Sequence, residues 1–156
     1  MITTKQHFIR PLSASDSLFI LELLNTEGWI TYIGDRNINS QEDALSYIQN
    51  IRENPNAFYW VIVLKETNTA IGLVTLIKRD YLDIRDIGFA LLPIYSGQGH
   101  ALEATKAILN TLNEDIAAIT LAENKKSIKL IEKLGLKFEK IIEKENEKLC
   151  LYRTQQ

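Results

Sequence analysis

Between a strand-like run and a helix-like run the chain reads Leu92-Pro93-Ile94-Tyr95-Ser96-Gly97-Gln98-Gly99-His100-Ala101. Glycines at such a junction let the backbone turn tightly and approach a ligand, and a helix start leaves several N–H donors unpaired. Those donors and the helix dipole together make an anion site suited to a pyrophosphate. A tight turn that holds no ligand would use the same glycines. The Lys-Ser/Thr end of a P-loop is absent, which disfavours nucleotide hydrolysis. A dinucleotide fold would carry this loop after its first parallel strand, whereas here an antiparallel hairpin precedes it.

Two further segments carry polar chemistry. Gly88 interrupts the strand-like run Asp86-Ile87-Gly88-Phe89-Ala90-Leu91-Leu92. A glycine inside a strand marks a bulge or a close approach, and bulges re-aim strands beside active sites. A strand splayed there would free backbone N–H and C=O groups to pair with an extended, amide-bearing ligand such as the pantetheine arm of coenzyme A. Asn124-Lys125-Lys126-Ser127 opens a helix, with Asn124 as its cap and Ser127 one turn in, at the same sheet end as Gly97–Ala101. A capping pair without a catalytic part is the plainer alternative.

The elements that position these residues follow from periodicity and punctuation. His7–Leu12 reads as a strand and Ser15–Asn25 as a helix with a Leu18, Leu21, Leu24 stripe. Gly28–Asn39 reads as a loop holding Trp29, Tyr32, Gly34 and Asp35. A second helix starts at Ser40, with Asp43 as a capping-box-like partner, and ends at Asn54-Pro55-Asn56. Phe58–Leu64 and Ile71–Lys78 form a hairpin, and Asp83–Leu92 adds a third strand. Helix Ala101–Leu112, strand Ala117–Leu121 and helix Asn124–Leu134 follow, with Gly135 as a left-handed helix cap. Lys137–Ile142 and Leu149–Arg153 close the chain around a Glu145-Asn146 turn. The expected fold is α/β with a mixed, mostly antiparallel sheet and helices on both faces.

The 156 residues fit a single domain, spanning residues 1–156. Hydrophobic residues make up 46% and charged ones 24%, with a net charge of −2, so there is no basic footprint for direct nucleic-acid binding. Cys150 is the only cysteine, and His7 and His100 are the only histidines. Neither a disulfide nor a metal cage has enough ligands, and a Ser–His hydrolase triad has little material. Cys150 reads as a core residue in a reduced compartment. The N-terminal region lacks a signal-peptide core and no stretch reaches the roughly 20 apolar residues of a membrane span, so a cytoplasmic protein is expected.

Asp86–Leu112 followed by Asn124–Phe138 resembles the acetyl-CoA-binding core of the GNAT superfamily of N-acetyltransferases. Gly99 and Ala101 take the small-residue places of that family's Arg/Gln-x-x-Gly-x-Gly/Ala loop, while Ser96 departs from its usual first residue. Asn124-x-x-Ser127 with Glu132-Lys133-Leu134-Gly135 is similar to the second family motif. Arg10-Pro11-Leu12-Ser13-Ala14-Ser15-Asp16, Ile33-Gly34-Asp35-Arg36 and Gly99-His100-Ala101-Leu102-Glu103-Ala104 resemble the branch that acetylates N-terminal residues of ribosomal proteins.

The resemblance implies acetyl-CoA as cosubstrate, lying in the splay after the bulge. It implies that Ala90, Leu91 and Leu92 pair with pantetheine through backbone groups. Gly97, Gln98, Gly99, His100 and Ala101 would donate N–H groups to the pyrophosphate, and Asn124 and Ser127 would reach the pantetheine or the sulfur. Many family members protonate the departing thiolate with a tyrosine on the last helix. Ile131 stands at the comparable position here, so Ser127 is the substitute. A backbone N–H near Gly88 or Phe89 serves as oxyanion donor, and Asp86 is the candidate base, directly or through water.

The acceptor follows from a magnitude. An α-amine with a pKa near 7.8 is roughly 10% neutral at pH 7, and a lysine amine near 10.4 about 0.04%. A site without a strong base therefore suits a protein or peptide N-terminal α-amine. Trp29 and Tyr32 would wall that acceptor site, and Arg36 would meet an acidic acceptor group or pair with Asp35. A small-molecule amine acetyltransferase and a non-catalytic coenzyme-A-binding module are the competing readings. A monomer and a homodimer both stay open.

Overall fold

The computed structural model describes residues 1–154. Its centre is one eight-stranded sheet of order β1-β2-β3-β4-β5-β6-β8-β7. The strands are β1 (Ile2–Thr3), β2 (His7–Pro11), β3 (Ala57–Leu64), β4 (Thr69–Ile77), β5 (Asp86–Leu91), β6 (Ala117–Leu121), β7 (Lys137–Lys144) and β8 (Glu147–Arg153). Every neighbouring pair is antiparallel except β5 with β6. The helices are α1 (Ser17–Leu24), α2 (Glu27–Tyr32), α3 (Gln41–Glu53), α4 (His100–Leu109) and α5 (Lys125–Lys133).

Strand alternation sends apolar side chains to both faces of the sheet. Ile9, Ile62, Val74 and Leu76 meet Ala104 and Ile108 of α4 and Ile131 of α5 on one face. Val61, Val63 and Leu73 meet Ile20, Leu23, Ala44 and Ile48 of the first and third helices on the other. The expected mixed sheet with helices on both faces is what the chain forms. Cys150 is buried and unpaired. Among the described residues no helix is long and apolar enough to cross a membrane.

Leu18, expected on the apolar stripe of α1, is 64% exposed, and Ile20, Leu23 and Leu24 form the buried face instead. Two further local expectations need correction. The segment Gly28–Asn39 is not all loop, because Thr26 accepts the Trp29 N–H and starts α2. Gly28 and the run Trp-Ile-Thr-Tyr are weak helix formers, and the cap with core packing of Trp29 overrides them. The second of the two concerns the bulge. β5 pairs with β4 through six consecutive rungs, from Gly72↔Leu91 to Ile77↔Asp86, without a shift at Gly88. The shift lies instead between β3 and β4, where Ile62 faces Gly72 and Val63 faces Ala70, leaving Ile71 as the extra residue. Gly88 is a close-approach glycine: a Cβ there would sit 2.7 Å from Thr75 Oγ1.

Candidate active site

The splay exists, and its cause is the parallel neighbour. β6 touches β5 only at Asp86↔Ala117, while it pairs with β8 along five rungs. Above that single rung the two strands part. A cleft of about 1080 Å³ opens between them and extends across the head of α4, the start of α5 and α2.

The strand edge facing the cleft carries unpaired backbone groups. Leu92 N–H donates to Ile71 C=O at 2.8 Å, so Leu92 and, by alternation, Ala90 direct their backbone groups at β4. Phe89 and Leu91 then direct theirs into the splay. Of the residues expected to pair with pantetheine, Leu91 turns a backbone edge to the splay, as Phe89 does, whereas Ala90 lines the cleft with its backbone directed at β4. Leu92 is only 6% exposed and belongs to the core. Phe89 was legible only as part of the strand, because backbone parity depends on which neighbour pairs where.

At the far end of β5 a 3₁₀ turn, Pro93–Tyr95, leads into the glycine loop. Gly97 and Gly99 have φ of 75° and 85°, a region costly for side-chain-bearing residues. Gly99 caps α4, and the first helical bond inside this turn is Glu103 N–H to Gly99 C=O at 3.0 Å. The N–H groups of His100, Ala101 and Leu102 are thereby left for an anion. Gly97, Gly99, His100 and Ala101 all line the cleft. Gln98 does not; its side chain donates to Ile94 C=O at 3.1 Å and steadies the loop.

Across the cleft, Asn124 Oδ1 accepts the Ser127 N–H at 3.3 Å and caps α5. Both residues line the cleft, and among the described residues the Ser127 hydroxyl makes no hydrogen bond. Ile131 faces away, 1% exposed in the core. Lys126, Lys129 and Lys133 of the same helix border the cleft and make that wall basic.

At the fork itself Asp86 is 2% exposed and receives the Arg79 Nε–H at 2.6 Å. Burial pushes the Asp86 carboxyl above its ordinary value, and the Arg79 guanidinium opposes this. Thr75, Arg79 and Tyr81 border the same region. On the opposite wall Trp29 is buried with its indole N–H unpartnered, and Tyr32 is 41% exposed at the rim.

A strand edge with unpaired amides running toward a glycine-built anion cradle fits a long cofactor with an amide-bearing arm and a pyrophosphate. With a carboxylate and a hydroxyl on facing sides of the fork, this defines an acyl-coenzyme A-dependent acyltransferase. The chain belongs to the GNAT acetyltransferases: the family model for an acetyltransferase (GNAT) domain matches residues 7–137. An uncharacterized N-acetyltransferase of Bacillus subtilis, YnaD, is 28% identical over 155 residues, covering 94% of this chain and 90% of that protein. The fold is shared with RimL, a ribosomal L7/L12 α-N-protein acetyltransferase solved with coenzyme A, at a TM-score of 0.82 and 14% identity over 96% of this chain and 94% of that one. A spermidine N-acetyltransferase from Vibrio cholerae, solved with coenzyme A and spermine, has a TM-score of 0.79 and 20% identity over 96% and 95% of the two chains. The protein is thus an acetyl-CoA-dependent N-acetyltransferase, and its acceptor is an amine.

Proposed function

We propose that the acceptor is the N-terminal α-amine of a peptide or protein. The Arg79–Asp86 ion pair carries this reading. Burial raises the Asp86 carboxyl and the Arg79 guanidinium opposes that rise, and a single carboxylate held in this way serves best an amine that is already partly neutral. Bringing an α-amine to its neutral form at pH 7 costs on the order of 1 kcal/mol, against about 5 kcal/mol for a lysine side chain. RimL, which shares the fold, is named for an α-amine acceptor.

In this reading acetyl-CoA supplies the activated acetyl group. The N–H groups of His100, Ala101 and Leu102 hold the pyrophosphate, and the edges of Phe89 and Leu91 hold the pantetheine. Asp86 takes the proton released by the attacking amine, directly or through water. The Phe89 N–H stabilises the charge that develops on the acetyl carbonyl oxygen. The Ser127 hydroxyl donates a hydrogen bond to the departing thiolate and relays to it a proton drawn from solvent, so that Ser127 ends the step protonated. Trp29 and Tyr32 wall the acceptor.

A second reading, a small polycationic amine, draws support from Glu27, Glu145 and Glu147, which also border the cleft. Coenzyme A release measured with Ala- and Ser-starting peptides, an Nα-blocked lysine peptide and spermidine separates the two. The proposal expects kcat/KM for an unblocked peptide to exceed that for the blocked lysine peptide by about 100-fold or more. A higher value for spermidine than for every peptide overturns it in favour of the small amine.

A further inference from the structure

Glu103, His7 and His100 form a hydrogen-bonded chain from the outer side of α4 to the cleft. Glu103 Oε2 lies 2.9 Å from His7 Nδ1, and His7 Nε2 lies 2.8 Å from His100 Nδ1. The rings meet edge-on with centroids 4.9 Å apart. Both are buried, His7 completely.

The hydrogens along this chain are set from the Glu103 end. Its carboxylate accepts from the Thr4 hydroxyl, the Gln6 backbone N–H and the Gln6 side-chain amide. Burial would raise Glu103, but these donors and His7 bring its carboxyl down to about 2, so it is ionised. Burial holds His7 below the ordinary histidine value, against the pull of Glu103, which favours a neutral ring. Because the Thr4 hydroxyl is donated to Glu103, Thr4 Oγ1 at 3.1 Å and Glu103 Oε2 at 2.9 Å both face His7 Nδ1 as acceptors. A neutral His7 carries its hydrogen there and accepts at Nε2, so the hydrogen between the rings sits on His100 Nδ1. Nε2 of His100 is left with a lone pair. It makes no hydrogen bond among the described residues, and His100 lines the cleft at the head of α4.

A lone pair is mismatched to an anion held by the head of α4. One added proton makes Nε2 a donor, and the contact with His7 and Glu103 spreads the positive charge away from the cleft. We propose that binding of the cofactor pyrophosphate at the head of α4 is coupled to uptake of one proton by the His7–His100 pair, with His100 Nε2–H donated to a phosphate oxygen. This rests on the pyrophosphate placement given under Proposed function.

The groups facing the pair are few. Glu103 favours the added charge. Lys65, at the end of β3 with its ammonium on Thr4 C=O, opposes it, and the Tyr95 ring stands 6.3 Å from His100. The positive end of the α4 dipole opposes it too until an anion cancels that field. The proton therefore arrives with the ligand.

Dephospho-coenzyme A is the probe, because it keeps the pyrophosphate and lacks the 3′-phosphate monoester that titrates in the same range. Titration calorimetry of the full chain near pH 7.5, in two buffers of different ionisation enthalpy, counts protons taken up. The expected result is an uptake approaching one proton, with affinity falling up to about tenfold per pH unit as pH rises. In His100→Asn the uptake disappears and affinity becomes independent of pH. A purely structural role would lower affinity equally at every pH and leave the proton count unchanged. Zero uptake by the parent protein, or uptake that persists in His100→Asn, overturns the coupling while leaving the acetyltransferase reading intact. Absence of dephospho-coenzyme A binding overturns the pyrophosphate placement and the coupling together, and coenzyme A release from acetyl-CoA then shows whether the enzymatic reading stands.

Discussion

Asp86 of β5 and Ala117 of β6 are the only residues through which those two strands pair. The Ala117 N–H also reaches Arg85 C=O at 2.9 Å, so the last contact before the fork is firm. The cleft is therefore wedged open by pairing on its outer sides, β4 for one strand and β8 for the other. Asp86 sits at the apex, where an acetyl group and an amine can meet.

The close packing of β4 on β5 gives a first prediction at Gly72. A Cβ there would lie 2.5 Å from both Ala90 O and Leu91 Cδ2. The backbone oxygen cannot swing aside, so Gly72→Ala pushes β5 outward and moves the Leu91 edge. Overpacking of this kind costs about 1–3 kcal/mol, which lowers the melting temperature by several degrees. Acetyl-CoA affinity should fall as well. A melting temperature within one degree of the parent contradicts the assignment.

Gly99→Asp tests the anion cradle. The φ of 85° costs a non-glycine residue about 1–2 kcal/mol, although the space beyond its Cα is open. Charge does the larger damage, since a carboxylate stands where the pyrophosphate belongs. For the parent, acetyl-CoA at about 100 times Kd should raise stability by roughly 2.7 kcal/mol. The variant, still folded, should lose most of that shift at the same concentration. A full shift removes the loop from the site.

Much of this was legible in the sequence, and the misses share a cause. Gly97, Gly99 and Asn124 declare themselves because positive φ and helix capping are local demands. Gly135 does so too, with a φ of 96° at the end of α5. The Gly88 bulge was misread because a strand glycine serves either a bulge or a close approach, and only the Thr75 neighbour distinguishes them. Phe89 and Gly72 depend on strand register. The Glu103–His7–His100 chain joins residues 96 and 93 positions apart, which no local pattern reports.

His7 makes stability depend on pH. Its folded value lies below the ordinary 6.5, chiefly through burial. A depressed value means that the neutral ring's contribution is complete above the unfolded value and is lost as pH falls through the folded one. The cofactor-free protein should therefore melt progressively lower from about pH 6.5 downward. In His7→Gln that slope should flatten across the histidine range. Equal slopes in the two proteins would place the loss elsewhere.

Asp86→Asn addresses the proposed base. The amide keeps the shape and can still meet Arg79, but it cannot take a proton. If Asp86 receives the amine proton, kcat falls by about 100-fold or more with acetyl-CoA affinity nearly kept. The parent's rate should rise with pH as the base ionises and the amine loses its proton. A variant with unchanged kcat leaves the proton to water.

Ser127→Ala is the sharpest test of the leaving-group step. The Ser127 backbone is fixed by the Asn124 cap at 3.3 Å, while among the described residues its hydroxyl has no partner. That combination holds a proton donor in place without spending it on the fold. Removing the hydroxyl should lower kcat and leave acetyl-CoA affinity and melting temperature almost unchanged. General acids contribute about 10²–10⁴-fold, and because a coenzyme A thiol leaves readily the loss should be at the low end, roughly 10- to 100-fold. A hydroxyl that only holds pantetheine gives a different pattern, with KM raised and kcat preserved. Steady-state kinetics with both substrates varied reads the two apart. A kcat within twofold of the parent means that the thiolate departs without help from Ser127, since Ile131, buried in the core on the far side of α5, offers no proton.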